Sequence, residues 1–371
     1  MLAILAPSHP VLQEGPNALN PLRVGQNHLD QRLLGEAIVR HRKALRGTRQ
    51  ALTDTSATND AIMATVSVLT ICELFDTIRG SPSAWLGHMG GFDQVLLSRG
   101  PDSLRSKLAM LVFYQSRYPA LTRALLRRTA DPLSSPEWRA VLARMPLGPA
   151  GVSLNLALQI PYLLQRYDVL ALRPAIAVED VQTLLSDCER VDGELRQWHT
   201  QLQQSAAIYT VLDVGMFPTY AALVSDRTLP DRYSFANQKV AFLFMQYWSS
   251  TYFLRGTMAY IREYLRELLN YCEQAQRDLV KARWTSRAEL DDLVFFLCRC
   301  IPGLAEHSTG AHGHTAMFLP LRIATIHYQA KCSWDWVSWI EDMKAHIFYI
   351  RPPIVKNGDY PVVRSLLKSE V

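Results

Sequence analysis

Histidine and tyrosine side chains are the groups of this chain whose chemistry suits acid–base catalysis. His307, His312 and His314 crowd one short segment, and His88 lies in a helical pattern nearer the N-terminus. An imidazole takes up or releases a proton near neutral pH, and it can also bind a metal ion. Tyr252, in an aromatic-rich segment, is a further candidate acid or base. The candidate catalytic residues are therefore His88, His312, His314 and Tyr252.

The histidine cluster makes a poor metal site. Its H-x4-H-x-H spacing is accompanied by Glu306 but by no cysteine at ligand spacing, whereas structural zinc sites use four closely spaced ligands. The sequence also lacks the glycine-rich, phosphate-binding, serine-nucleophile and H-E-x-x-H motifs. We therefore predict no metal and no cofactor, and we expect the clustered histidines on a solvent-facing loop unless one of them serves a ligand or an acid–base step.

Cysteine usage and charge narrow the class of protein. No pair of cysteines has C-x2-C spacing, which favours buried thiols in a reducing compartment over a zinc site or disulfides. The six positions are Cys72, Cys188, Cys272, Cys298, Cys300 and Cys332. The formal net charge of +5 is too small to imply nucleic-acid binding by itself. No apolar run is long enough to span a membrane, so no membrane association is predicted.

Helical periodicity runs through almost the whole chain, and no segment alternates convincingly as a β-strand. Because 49% of its 371 residues are hydrophobic, the chain can bury a large core. We predict an all-α fold, a large single domain of packed antiparallel helical hairpins over residues 28–350. Residues 1–27 are rich in proline and are predicted to form an extended lead-in, and residues 351–371 a loosely held tail.

The segment 83–101 is predicted to be a central helix of that domain. Four large residues recur at helical spacing and share one face; they are Trp85, Met89, Phe92 and Leu96. Three glycines cost the helix about 1 kcal/mol each relative to alanine, which is tolerated where another backbone packs closely. We expect close helix–helix contact at these positions, which are Gly87, Gly90 and Gly91. The apolar segment 61–78 should complete a central antiparallel hairpin.

A long aromatic-rich helix is predicted from 235 to 271, with Ser234 as its N-cap. Its large rings indicate a core, and they would also suit the wall of an apolar ligand pocket. The pocket candidates are Trp85, Phe244, Trp248, Tyr252 and Arg322. Arg322 follows a proline at a predicted helix start, and Asp292 is its suggested buried partner.

Prolines set several predicted boundaries, because proline removes a helical hydrogen bond and clashes with the preceding turn. One helix is predicted to end near Tyr118, with a separate short helix after Pro119. A kink is expected at Pro161 in a helix over 152–170. Pro302 is predicted to end another helix, ahead of a loop over 303–315.

A helix from Asp30 to about Leu52 is predicted to be basic on one side and apolar on the other, with Ile38 on the inner face. Its basic residues are Arg32, Arg40, Arg42, Lys43, Arg46 and Arg49. Such a stripe is most simply a solvated face. Contact with nucleic acid or with an acidic partner is the alternative.

Two segments carry a resemblance to a known family. In the segment 83–101, a Trp is followed three residues on by a His, then by a small-residue patch, an apolar run and Arg-Gly-Pro. Further on, DLVFFLCRCIP from Asp292 and FLPLRIA from Phe318 follow in order. These segments resemble the signature and closing helices of the fungal-specific transcription factor domain, the regulatory region of fungal binuclear zinc-cluster regulators. The six-cysteine zinc cluster of those regulators is missing from this sequence.

The resemblance implies a regulatory or effector domain of the nucleus or cytoplasm, connected with metabolic or secondary-metabolite genes. Without the zinc cluster, we expect no direct DNA binding from this chain; it would act through a protein partner, a homodimer or a sensed apolar small molecule. An alternative is a cofactor-free cyclase, isomerase or dehydratase acting on a hydrophobic biosynthetic intermediate through His88, Tyr252 or the 312/314 histidines. An adaptor without any ligand is the third hypothesis.

Overall fold

The computed structural model describes residues 10–28, 30–53, 60–77, 82–146, 148–173, 176–205, 209–213, 231–270, 287–305 and 310–348. Helices account for most of them: α1 Pro10–His28, α2 Gln31–Thr53, α3 Asp60–Thr77, α4 Pro82–Arg99, α5 Lys107–Arg127, α6 Pro136–Ala143, α7 Pro149–Ala157, α8 Ile160–Ala171, α9 Val178–Ser205, α10 Gln238–Asn270, α11 Arg287–Ala305, α12 Gly310–Ala330 and α13 Trp334–Phe348. Short 3₁₀ turns cover Pro101–Ser103 and Pro132–Ser134. The predicted all-α, single-domain fold is confirmed.

The core is organised around α10, which packs against α7, α8, α9, α11 and α12. Its side chains Phe244, Met245, Leu254 and Ile261 are fully buried. The hairpin of α3 and α4 packs chiefly on α1, α2 and α5, so it flanks this centre and is not the centre that the sequence predicted. None of the described helices is long and apolar enough to cross a membrane.

The glycines of α4 do not make the close contacts expected of them. Met89, Phe92 and Leu96 are buried as predicted, and the side chain of Trp85 lies outside the described residues. Among the described residues, a Cβ atom placed on any of the three glycines would meet no atom within 4 Å, and Gly87 and Gly91 are exposed. Because a helix turns by about 100° per residue, Gly87 and Gly91 project away from the side that buries Met89. The prediction of tight backbone packing there is wrong, and nothing in the structure explains these glycines.

A close glycine contact exists instead in α1, within the segment predicted to be an extended lead-in. Pro10–His28 is helical although it contains Pro16 and Pro21, so that prediction is wrong for these residues. A Cβ atom on Gly15 would lie 3.2 Å from Val68 Cβ of α3. Ala18 packs nearby in an apolar cluster with Val68 and Cys72. Tertiary packing of α1 on α3 therefore overrides the local preference of the prolines.

Other prolines also lie inside helices. Pro119 lies within the continuous helix α5, and Pro302 lies within α11, so the helix ends predicted there are wrong. At Pro161 the predicted kink is a complete break, because α7 ends at Ala157 and α8 begins at Ile160. Residues 303–305 and 310–315 of the predicted loop are helical, since α11 reaches Ala305 and α12 begins at Gly310. The residues between those helices lie outside the described chain.

A short antiparallel ladder, unforeseen in the sequence, precedes α10. It pairs β1, Tyr209–Asp213, with β2, Asp231–Phe235. Arg232 and Tyr233, adjacent in β2, are both buried, so the strand has no alternating pattern to recognise. Because Ser234 belongs to this strand, it is not the N-cap of α10. Asn237 takes that position, and its Oδ1 accepts a hydrogen bond from the backbone N–H of Val240 at 3.1 Å.

Substitutions at two glycines test this packing. We expect Gly91→Ala to raise the free energy of unfolding by about 0.5–1 kcal/mol, because the added methyl enters open space and favours helix. Gly15→Val should lower it by about 1–3 kcal/mol, because its side chain overlaps Val68. Urea denaturation measures both values. Destabilisation by Gly91→Ala would mean that the outer side of α4 is packed against another surface.

Candidate functional site

Three packed helices bring a tyrosine, a histidine and an aspartate into one hydrogen-bonded line. The hydroxyl of Tyr252 on α10 lies 3.3 Å from Nδ1 of His327 on α12. Nε2 of His327 lies 2.9 Å from Oδ1 of Asp291 on α11. The other carboxylate oxygen of Asp291 accepts a hydrogen bond from Lys331 Nζ at 2.6 Å. We name these residues, Tyr252, His327, Asp291 and Lys331, the α10–α12 relay.

The chemistry of the relay fixes the proton positions. A carboxylate can only accept, so Nε2 of His327 donates to Asp291, and in a neutral imidazole Nδ1 then accepts from the Tyr252 hydroxyl. Burial lowers the pKa of His327, and the neighbouring Asp291 offsets this only in part. Burial also acts to raise the pKa of Asp291, but Lys331 and His327 outweigh it and hold that pKa below its usual value. His327 is therefore neutral at pH 7.

Tyr252 is the end of the relay at which a reaction would occur. Its ring is half-buried, and burial raises the pKa of its hydroxyl to about 12. A proton passing from Tyr252 to His327 would leave a phenolate, and Asp291 would stabilise the resulting imidazolium. This order of groups is that of a nucleophile or base supported by an oriented histidine. The arrangement is therefore competent for proton transfer.

The relay contains one predicted site residue, Tyr252, and three that the sequence did not single out, His327, Asp291 and Lys331. His327 sits in an apolar helical run, where it resembles an ordinary core residue. The sequence suggested a pairing role for Asp292, whereas its neighbour Asp291 is the residue within reach of His327. The available signal was the spacing of His327 and Lys331, because residues four apart on a helix share a face and can meet one carboxylate.

The other predicted catalytic residues lie on different elements. His88 is half-buried on α4, which packs on α3 and α5. His312 and His314 belong to the first turns of α12, not to a loop, and their side chains lie outside the described residues, as does all of His307. Hydrogen bonds from Tyr252 thus lead to His327 on α12. No group of three potential metal ligands occurs among the described histidines, cysteines, aspartates and glutamates.

The predicted pocket residues have different environments. Phe244 and Trp248 are buried, with ring centroids 5.1 Å apart, and Trp248 also packs on Tyr233 and Phe296. They form part of an aromatic core, and their role in a ligand pocket stays a prediction. Arg322 is exposed, as is Asp292, and across the described chain no ion pair joins them. The suggested buried pair is therefore wrong, because both side chains point to solvent.

A cleft lies on another part of the surface, along α8 and the start of α9. It has a volume of about 360 Å³, and its lining includes Tyr162, Arg166, Val169 and Arg173. No member of the α10–α12 relay lines it. Beside the cleft, Tyr162, Val169 and Leu172 are 56%, 49% and 85% exposed. We name these three residues the α8 surface.

Charges around the cleft are neutralised locally. Arg166 pairs with Asp187, and Arg173 Nη1 lies 3.5 Å from Asp180 Oδ2. The Arg166 guanidinium also lies 5.7 Å from the centroid of the Tyr162 ring, within range of a cation–π contact. The α8 surface therefore offers apolar and aromatic contacts without a net charge of its own.

Two further sets of titratable groups serve the fold. The fully buried Arg117 of α5 lies 3.0 Å from Asp131 and 3.4 Å from Asp93 of α4, and Arg123 also contacts Asp93. Burial raises the pKa of Asp93 and lowers that of Arg117. His199 of α9 stacks on Tyr247 at 4.3 Å, and burial lowers its pKa to about 4.

Proton NMR can test the state assigned to His327. We expect its pKa to lie below 6.5, and Asp291→Asn to lower it further by removing the partner that raises it. His199, with a pKa of about 4, is the internal reference, and the exposed Asp335→Asn is the matched control. Because both folded histidines bind protons less readily than unfolded ones, the free energy of unfolding should fall as pH drops below about 6.5. A His327 pKa above 6.5 would contradict the conclusion that burial outweighs Asp291 and keeps this imidazole neutral at pH 7.

Comparison with known proteins adds one relative. An uncharacterized protein of Emericella nidulans is 32% identical over 119 residues, which are 32% of this chain and 25% of that protein. The match thus spans about a quarter of the relative's length. No protein-family model matches the chain, and no solved structure matches it. The resemblance to the fungal-specific transcription factor domain therefore stays a prediction.

Proposed function

We propose that this chain is a regulatory or effector domain that acts through contacts with other proteins. The observation that carries the proposal is the α8 surface, where Tyr162, Val169 and Leu172 are exposed together beside an open cleft. Clustered exposed apolar side chains are typical of interaction sites. The sequence resemblance to fungal regulators supports the same function, with a place in the nucleus or cytoplasm and a connection to metabolic genes.

Small-molecule sensing is part of this proposal at the same surface. The cleft volume of about 360 Å³ is near the lower end of the range for ligand sites, about 300–1,000 Å³. Its lining combines the Tyr162 ring and aliphatic Val169 and Leu170 with the Gln165 amide, whose Oε1 accepts from the Ala130 N–H at 2.7 Å. An apolar molecule with one polar group would fit this composition. Its binding would alter the surface that a protein partner contacts.

A tethered reporter assay tests the regulatory function. The full chain is fused to an unrelated DNA-binding domain, and transcription from that domain's site is measured in a fungal host. We expect the fusion to change transcription. The double variant Leu172→Ser, Tyr162→Ser should reduce this effect about fivefold or more, because losing about 1 kcal/mol of contact energy weakens partner binding by about that factor.

Val152→Ser is the matched control, because Val152 is 53% exposed but lies on α7 outside the cleft lining. It should leave the reporter signal within about twofold of the unsubstituted fusion, since surface substitutions usually change stability by less than about 0.5 kcal/mol. A fusion without any effect on transcription would contradict the regulatory proposal. An effect insensitive to the α8 substitutions would contradict the assignment of the surface.

The α10–α12 relay favours a second candidate function, a cofactor-free isomerase, cyclase or dehydratase acting on a hydrophobic intermediate. In an isomerisation, Tyr252 would take a proton from a substrate carbon while passing its own to His327 Nδ1, and the proton would return at another carbon. One pKa unit corresponds to about 1.4 kcal/mol, so the free phenolate lies about 7 kcal/mol above the phenol at pH 7. This cost, together with the separation of the cleft from the relay, makes the regulatory function the better-supported one.

Two substitutions test the enzymatic candidate. Purified protein is incubated with an apolar metabolite extract of the source organism from which the gene for this chain has been deleted. Conversion of the extracted metabolites is followed by mass spectrometry. General acid–base groups contribute about 10²–10⁴-fold, so Tyr252→Phe and His327→Asn should each lower turnover by at least about 10². Tyr260→Phe is the control, because Tyr260 is an exposed tyrosine on the same helix. Undiminished turnover in Tyr252→Phe, or no turnover by the unsubstituted protein, would remove this candidate.

A further inference from the structure

Helix α2 presents an exposed stripe that combines aliphatic and basic side chains. On the opposite side of α2, the side chains of Leu34, Ala37 and Ala44 are buried. Ile38 and Val39 are 51% and 65% exposed, so the inner position predicted for Ile38 is wrong. The stripe continues through three exposed arginines. We name these five residues, Ile38, Val39, Arg42, Arg46 and Arg49, the α2 stripe.

The three arginines of the α2 stripe have positive charge that no described carboxylate neutralises. Nearby carboxylates are already paired with other basic residues: Glu36 with Arg40, and Glu14 with Lys43. Across the described residues, no carboxylate lies within ion-pair distance of Arg42, Arg46 or Arg49. The N-terminal Asp30 caps the helix, since its Oδ1 accepts from the backbone N–H groups of Arg32 and Leu33.

The spacing of the stripe matches the face of another helix. Arg42, Arg46 and Arg49 stand at i, i+4 and i+7, and Ile38 extends the same side by one turn. The exposed Gly35 continues it further, and a Cβ atom there would meet nothing within 4 Å. At 1.5 Å per residue, the side from Gly35 to Arg49 is about 21 Å long. This length and period suit about four turns of an opposing helix.

We propose that the α2 stripe binds an acidic amphipathic helix of a partner protein. Carboxylates of that helix pair with Arg42, Arg46 and Arg49, and its aliphatic side chains cover Gly35, Ile38 and Val39. The complementary charges and the adjoining aliphatic end together select this partner. The inference rests on the proposed action through protein contacts, but it adds a surface separate from the α8 surface.

The aliphatic end of the stripe distinguishes this partner from other polyanions. A nucleic-acid backbone would engage the arginines and leave Ile38 and Val39 in water, so the favourable burial of these two aliphatic side chains would be lost. An anionic membrane surface would favour a broad apolar side with large residues, whereas among the described side chains of α2 only these two aliphatic ones are markedly exposed. A helix with carboxylates at one end and leucines at the other would pair with the arginines of the stripe and also cover Ile38 and Val39.

Fluorescence anisotropy of labelled peptides tests the proposal on the full chain. The probes are two helical peptides of about 20 residues, with leucines at one end and glutamates at i, i+4 and i+7 spacing at the other, in the two chain directions. A scrambled peptide of the same composition is the control. We expect one of the two directions to bind, with affinity that falls as salt rises, because exposed charge pairs are screened.

Matched variants locate the binding site. Reversal of the three arginines, Arg42→Glu, Arg46→Glu and Arg49→Glu, should weaken peptide binding at least about tenfold. The control with the same change in net charge is Lys107→Glu, Arg144→Glu and Lys239→Glu, three exposed residues on other elements. Ile38→Ser with Val39→Ser should weaken binding about fivefold, whereas Val152→Ser with Ile326→Ser should not. Circular dichroism verifies that each variant is folded.

Two competitors complete the experiment, a 20-base-pair DNA duplex and phosphatidylserine vesicles. If either binds more tightly than both peptides, loses affinity on arginine reversal and is indifferent to the Ile38 and Val39 substitutions, the proposal is overturned in favour of that polyanion. Failure of both peptides to bind also overturns it. Because the tethered reporter depends on Tyr162 and Leu172, its outcome separates failure of this inference from failure of the regulatory function.

Discussion

The rotational and axial position of α10 is the constraint on which the rest of the structure depends. This helix of 33 residues is buried among five others, and four of its polar side chains meet partners on surrounding segments. The partners come from two helices, α9 and α12, and from the C-terminal end of α5. They are His327 for Tyr252, Asp192 for Arg255, Arg128 for Thr257 and Glu189 for Arg262. A rotation or shift of α10 would break all four contacts at once, which couples the relay to the core.

Apolar periodicity predicted the helices and the buried sides of most of them, as Met89, Phe92 and Leu96 illustrate. Rules for single residues were less successful, because a glycine or proline has a local cost that packing can outweigh. Pro119 and Pro302 remain inside helices, and the close approaches occur at Gly15 and Gly25 rather than in α4. The sequence could not distinguish these cases, since each depends on which distant segment lies alongside.

Tyr252 could be identified from the sequence as a candidate, but its chemistry could not. Its partners His327 and Asp291 lie far along the chain and on separate helices, so no local spacing connects them. The same holds for Arg117, which in the sequence is one more basic residue of an amphipathic helix. It is fully buried because Asp93 and Asp131 converge on it from segments on either side of α5.

The α8 surface and the α2 stripe differ in how far their charges are neutralised by other residues of the chain. At the α8 surface, Arg166 and Arg173 each have an aspartate of the same chain, so a partner need bring no charge. On the α2 stripe, Arg42, Arg46 and Arg49 have no carboxylate within ion-pair distance among the described residues. A partner that supplies carboxylates would bind this stripe more strongly, because a basic or uncharged surface leaves the guanidinium groups without opposite charge. The two proposed sites would therefore favour partners of different charge.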